Sequence, residues 1–107
     1  MLQNILDNDI LKSLYFTELK MLDLIVNPYA GRGRAKTDAK KVFEILDANN
    51  VKFAPHYTAR KKHATEIAYN LTLSGAETIV SVGGDGTIHE IVNGIILARR
   101  ELETQGK

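Results

Sequence analysis

The sequence contains no cysteine, only two prolines, and no apolar run long enough for a membrane. Without cysteine there is no disulfide framework, and no Cys-ligated zinc or iron–sulfur centre can form. Spanning a bilayer takes about 18 or more consecutive apolar residues, so no transmembrane segment is expected. The N-terminus has no basic stretch followed by a continuous apolar one, which argues against a secretory signal. Charge of one sign is also missing. Lysine and arginine number 14 against 13 aspartates and glutamates, a formal net charge of +1. That balance gives no support for bulk electrostatic binding of nucleic acid or of a charged membrane. Aromatic residues make up 7% and show no RNP-like spacing, so no platform for stacked bases is expected.

What is present is an ordinary globular composition over 107 residues, 44% hydrophobic and 25% charged. One domain is expected at this length, with no repeat and no low-complexity stretch. A chain of this size buries only about 60–65% of its unfolded surface. A substrate cleft and a complete catalytic apparatus would be a tight fit.

Apolar residues at Leu2, Ile5, Leu6, Ile10, Leu11, Leu14 and Leu19 predict an N-terminal amphipathic helical extension over residues 1–20. Leu22 to Val26 predicts a strand stopped by Asn27-Pro28, because proline cannot continue a central strand. Ala35, Ala39, Val42, Phe43 and Leu46 share one helix face, and Asn49-Asn50 ends that helix. Val51 to Thr58 predicts a second strand, which Pro55 confines to an edge. Ala64, Ile67, Ala68 and Leu71 predict a second helix closed near Ser74-Gly75. Thr78 to Val82 is continuous and β-branched, as in a strand buried on both faces. Ile88, Ile91, Val92 and Ile95 restore helical spacing. The order α, then β-α-β-α-β-α, predicts an α/β fold: a three-layer α-β-α sandwich around a small parallel sheet. Its third strand would leave an open edge.

Two glycine-rich loops follow strands and open helices. Ligands of open α/β sheets bind at that end of the strands. Gly83-Gly84-Asp85-Gly86-Thr87 is the stronger signal. Glycines let backbone approach a phosphate, and the helix amino end offers unpaired N–H groups. Asp85 can accept those N–H groups or orient Mg²⁺, and Thr87 can cap the helix or touch a phosphate. A hairpin turn or a glycine turn used only for packing competes with that reading. Asn27-Pro28-Tyr29-Ala30-Gly31-Arg32-Gly33 is the second loop. With Arg34 and Lys36 it could complete a polyphosphate cradle, or be a flexible turn. It fits neither the P-loop nor the G-x-G-x-x-G spacing. Thr58, at the end of the second strand, could meet a ligand or simply end the strand. Arg60-Lys61-Lys62-His63 reads as a solvated basic loop rather than an anion site. His89-Glu90-x-x-Asn93 lacks the second histidine of a zinc helix, and His56, His63 and His89 read as capping or surface residues. No metal ligands are assigned.

Asn27-Pro28-x-Ala30-Gly31, Thr58 and Gly83-Gly84-Asp85-Gly86-Thr87-x-His89-Glu90-x-x-Asn93-Gly94, in that order, resemble the diacylglycerol kinase catalytic domain. The likeness covers about residues 21–98. It implies a fold similar to the nucleotide-binding domain of NAD kinases and 6-phosphofructokinases. It implies ATP-dependent transfer of phosphate to a lipid hydroxyl such as that of diacylglycerol, with Mg²⁺. Carried over, Asn27, Pro28, Tyr29, Ala30, Gly31, Thr58, Gly83, Gly84, Asp85, Gly86, Thr87, Ile88 and His89 would line the ATP site. Asp85 would be the catalytic acidic residue, and Glu90 with Asn93-Gly94 would support the loop. The family pattern goes on to a Gly-Thr-x-Asn-Asp segment and a β-rich lipid domain, and neither is found in this sequence. Residues 21–107 therefore read as the N-terminal ATP-binding subdomain, inactive alone, cytoplasmic, with any membrane contact peripheral.

Two other readings compete. One is a NAD-kinase-like phosphotransferase, which shares Gly-Gly-Asp-Gly-Thr; the Asn27 loop and Asn93-Gly94 favour the lipid kinases. The other is a non-catalytic nucleotide-binding or assembly module. There the N-terminal helix or the open sheet edge would make a homo-oligomer.

Overall fold

The computed structural model describes residues 21–106. The expected helix over residues 1–20 lies outside the described residues. Three strands, β1 (Leu22–Val26), β2 (Phe53–Tyr57) and β3 (Ile79–Val82), alternate with α1 (Arg34–Ala48), α2 (His63–Leu73) and α3 (Asp85–Thr104). The strands form one parallel sheet in the order β2-β1-β3. Leu24 lies opposite Pro55 on one side and Val80 on the other.

Side chains alternate across a strand, and β1 uses both faces. Leu24 and Val26 face α1, packing with Ala39 and Val82 and with half-buried Val42, Phe43, Leu46 and Phe53. The Phe43 and Phe53 rings stack with centroids 5.1 Å apart. Ile25 faces the opposite side, against Ala64 and Ala68 of α2 and Ile91 of α3. This is the three-layer arrangement the alternation predicts. Leu24, Ile25 and Val26 are fully buried. Each contributes about 1.5–3 kcal/mol by leaving water.

Pro55 predicts an edge strand, and β2 is one. The expectation of a strand buried on both faces needs correcting for β3. Ile79, Val80 and Ser81 are only half-buried, and only Val82 is buried. Among the described residues β3 has one neighbour, so it is not covered as a central strand is, and the central place belongs to β1. The strand is also one residue shorter than expected, although the Thr78 carbonyl still accepts the Asp23 N–H at 3.2 Å. Likewise β2 begins at Phe53, and Lys52 contributes only its carbonyl, to the Leu22 N–H at 3.0 Å.

The helix ends follow from local chemistry. Asn49 closes α1, its Nδ2 donating to the Ile45 carbonyl at 2.8 Å. Asn50 then takes a left-handed φ of 57°, and the Val51 N–H reaches back to the Leu46 carbonyl at 2.9 Å. Asparagine tolerates that conformation better than most residues. Gly75, with φ 95°, does the same after α2, and the Ala76 N–H returns to the Leu71 carbonyl at 2.9 Å.

Helices α2 and α3 pack closely. A Cβ built on Gly94 would lie 2.3 Å from the Thr65 carbonyl oxygen and 3.0 Å from the Ala68 Cβ. Glycine is required there by space. The contact pins the middle of α3 to the first turns of α2, beside the loops described next.

Candidate functional site

All three strands point the same way, so the loops after them gather at one end. The first, residues 27–33, is organised by Asn27. Its backbone N–H extends the sheet to the Val82 carbonyl at 2.9 Å. Its Oδ1 accepts the Tyr29 N–H at 3.1 Å, closing an Asx turn. Its Nδ2 donates to the Thr87 Oγ1 at 3.3 Å, across 60 positions of sequence. One side chain thus shapes its own loop and ties it to α3.

Beyond the Asx turn, Gly31, Arg32 and Gly33 have φ values of 62°, 58° and 90°. This left-handed run folds the loop back over the start of α1. The N–H groups of Arg34, Ala35 and Lys36 go to the carbonyls of Gly31, Ala30 and Gly33, at 3.1–3.2 Å. The amino end of α1 is therefore closed by its own loop. Of the polyphosphate cradle expected from this second glycine loop, the first three N–H groups of α1 are thus already used, while the side chains of Arg32, Arg34 and Lys36 are exposed.

The loop after β3 differs. Gly84 is the extended residue before α3, and Asp85 and Gly86 already belong to the helix. The Gly84 carbonyl accepts the N–H groups of Thr87 and Ile88 at 3.0 and 3.2 Å. Among the described residues, no carbonyl takes the N–H groups of Gly84, Asp85 or Gly86. Asp85 stands exposed at this end, where a helix carries partial positive charge. Thr87 does not cap the helix. It is buried and accepts from Asn27. A Cβ on Gly83 would come within 2.5 Å of its Oγ1 and 2.9 Å of its Cβ.

A cleft of about 240 Å³ opens between these loops. Asn27 and Tyr29 contribute from the first loop, and Thr87 and Glu90 from α3. The loop after β2 supplies Thr58, Ala59, Arg60 and Lys61, with Ala64 behind them. Thr58 is buried, and its N–H caps the sheet on the Val26 carbonyl at 2.9 Å.

Of the residues singled out in the sequence, Asn27, Tyr29, Thr58 and Thr87 line this cleft. Pro28, Ala30 and Gly31 shape the loop without lining it. Gly83, Gly84, Asp85 and Gly86 form the exposed amino end of α3 next to it. Ile88 and His89 are exposed on the helix and do not line the cleft. The structure adds Arg60 and Lys61, from the basic run that reads as a solvated loop, and brings Glu90 to the wall.

Glu90 supports a different loop from the one the resemblance implies. Its Oε2 accepts the Lys62 N–H at 3.1 Å, and its carbonyl accepts the Thr65 hydroxyl at 2.8 Å. His63, the first residue of α2, accepts the Ala59 N–H on its Nδ1 at 2.8 Å and so braces the preceding turn without capping the helix. Arg60 pairs with Glu66 on α2. His56 is neither a cap nor a plain surface residue. It is half-buried, with Nε2 2.9 Å from the Asp23 Oδ1, joining β2 to β1. Among the described residues, no three histidines or carboxylates come together as a metal cluster. No helix among them is long and apolar enough to cross a membrane.

Comparison with known proteins places this geometry. Residues 21–104 match the family described as diacylglycerol kinase catalytic domain. Human sphingosine kinase 2 is 39% identical over 74 residues, covering 68% of this chain and 11% of that protein. Sphingoid long chain base kinase 4 of Schizosaccharomyces pombe is 40% identical over 76 residues, covering 67% and 16%. The diacylglycerol kinase of Bacillus subtilis is 32% identical over 77 residues, covering 72% and 25%. Among solved structures, a candidate diacylglycerol kinase from Bacillus anthracis str. Sterne superposes with a TM-score of 0.60. It is 34% identical, covering 69% of this chain and 26% of that one. The chain thus spans from about a tenth to a quarter of the length of these relatives.

Proposed function

Since the chain belongs to the diacylglycerol kinase catalytic domain family, we propose that it is the ATP-binding part of a lipid kinase. The observation that carries the reading is the amino end of α3. Its open N–H groups at Gly84, Asp85 and Gly86 stand beside a cleft edged by Arg60 and Lys61. Backbone donors, a helix dipole, Lys61 and an Arg60 shared with Glu66 favour the phosphates of a nucleotide. Asn27 and Thr87 fix the distance between the first loop and α3, and Thr58 offers a hydroxyl at the cleft floor.

Magnesium fits the donors present. Mg²⁺ is commonly held by one or two carboxylates together with substrate phosphates. Asp85, exposed at the start of α3, would be that carboxylate. The ion supplies neutralisation of phosphate charge. The protein's own part is to present N–H donors and cations to a triphosphate and to hold the loops at a fixed spacing.

The acceptor in this reading is a lipid hydroxyl, reached at a membrane surface from the cytoplasmic side. The cleft is smaller than the roughly 300–1,000 Å³ of complete ligand pockets. Phosphoryl transfer depends on positioning both substrates. We expect the chain to bind the phosphate end of ATP and to phosphorylate no lipid on its own. Calorimetric titration of the full chain with Mg-ATP tests the reading, with Asp85→Ala beside it. Binding that weakens at least tenfold in Asp85→Ala, with the melting temperature kept, supports it; tenfold is about 1.4 kcal/mol. Equal affinity in the two proteins removes Asp85 from the site.

A further inference from the structure

The turn carrying Arg60 and Lys61 has an unusual closing residue. Lys62 precedes α2 with φ 66°, a left-handed conformation in a residue with a side chain. Such a conformation is strained for a residue with a Cβ and persists only where its surroundings hold it. Its N–H is taken by the Glu90 carboxylate at 3.1 Å, from a helix 28 positions later in the sequence. The Glu90 carbonyl takes the Thr65 hydroxyl at 2.8 Å, so one residue of α3 grips both the turn and the first turn of α2. One helical turn further on, Gly94 removes the side chain that would hold the two helices apart. Glu90 also lines the cleft that Arg60 and Lys61 edge.

We propose that Glu90 is a positioning residue: by accepting the Lys62 N–H it sets the turn that holds Arg60 and Lys61 at the cleft for nucleotide phosphates. The inference rests on the nucleotide reading given above. A carboxylate beside an anion site is unfavourable by charge alone. Its presence is explained by a hydrogen bond to a backbone N–H, which is stronger from a charged acceptor than from a neutral one. An amide oxygen in the same place would make the same bond without the charge.

The experiment uses the full chain and its Glu90→Ala and Glu90→Gln variants. Mg-ATP affinity is measured by calorimetry, and exchange of the Lys62 amide by NMR. Glu90→Ala should bind about tenfold more weakly, about 1.4 kcal/mol, with faster exchange at Lys62. Glu90→Gln should stay within about threefold of the parent and keep the Lys62 amide protected. Parental affinity in Glu90→Ala overturns the proposal. So does a Glu90→Gln as weak as Glu90→Ala with its Lys62 amide still protected, because the charge itself would then be in use. A parent chain that binds no nucleotide overturns the nucleotide reading and this inference with it, and that result is read without any variant.

Discussion

The two glycine-rich loops occupy equivalent places, each after a parallel strand and before a helix, and they do opposite things with the same backbone. The loop of residues 27–33 uses three successive left-handed residues to fold its own carbonyls onto the amino end of α1. The loop at Gly83-Gly84 is extended, ends at once in a helix, and leaves that helix's first N–H groups open. Glycine content alone does not make an anion site. What decides is whether the loop turns back over the helix or away from it. The closed loop still serves the open one, because Asn27 anchors Thr87 and with it the first turn of α3.

Substitutions can break this contrast, beginning with the largest effect. Gly83→Ala forces a methyl into the Thr87 side chain and should cost about 1–3 kcal/mol. At about 4–8 °C per kcal/mol for a domain of this size, calorimetry will resolve the fall in melting temperature. Gly33→Ala meets nothing within 4 Å, so only its backbone angle of 90° resists. It should cost about 1–2 kcal/mol, and Gly33→Asn should cost less, since asparagine accepts left-handed geometry. Equal losses for alanine and asparagine would show that the angle is not what matters there. Thr87→Val keeps the shape and removes the acceptor of the Asn27 Nδ2. It should cost about 1 kcal/mol in denaturant unfolding. No loss would mean that the link between the loops carries no stability.

Much of the fold could be read from residue spacing. The helical periods of α1, α2 and α3 and the breaks at Asn27-Pro28 and Gly83-Gly84 give the element order. Pro55 alone identifies β2 as an edge. The open edge at β3 was legible, but its half-burial was not, because a continuous apolar run looks the same on a central strand and on an edge one until its neighbours are known. In the site, Asn27, Thr58 and Thr87 were legible through their positions at strand and helix ends. Arg60 and Lys61 were not. A basic run is usually solvated, and its placement rests on Glu66, which pairs with Arg60, and on Glu90, distant in sequence and joined to Lys62 only through a backbone N–H. The closed state of the first loop was hidden for a similar reason. Gly31-Arg32-Gly33 is equally compatible with an open cradle until the φ values show the fold-back.

The difference between the two helix ends can be measured residue by residue. Titrating the full chain with Mg-ATP while following backbone amides by NMR reads both loops in one experiment. The amides of Gly84, Asp85 and Gly86 should move the most, and those of Arg34, Ala35 and Lys36, already bonded to their own loop, should move little. The largest shifts at Arg34–Lys36, with Gly84–Gly86 unmoved, would contradict the account and put the phosphates on the other loop.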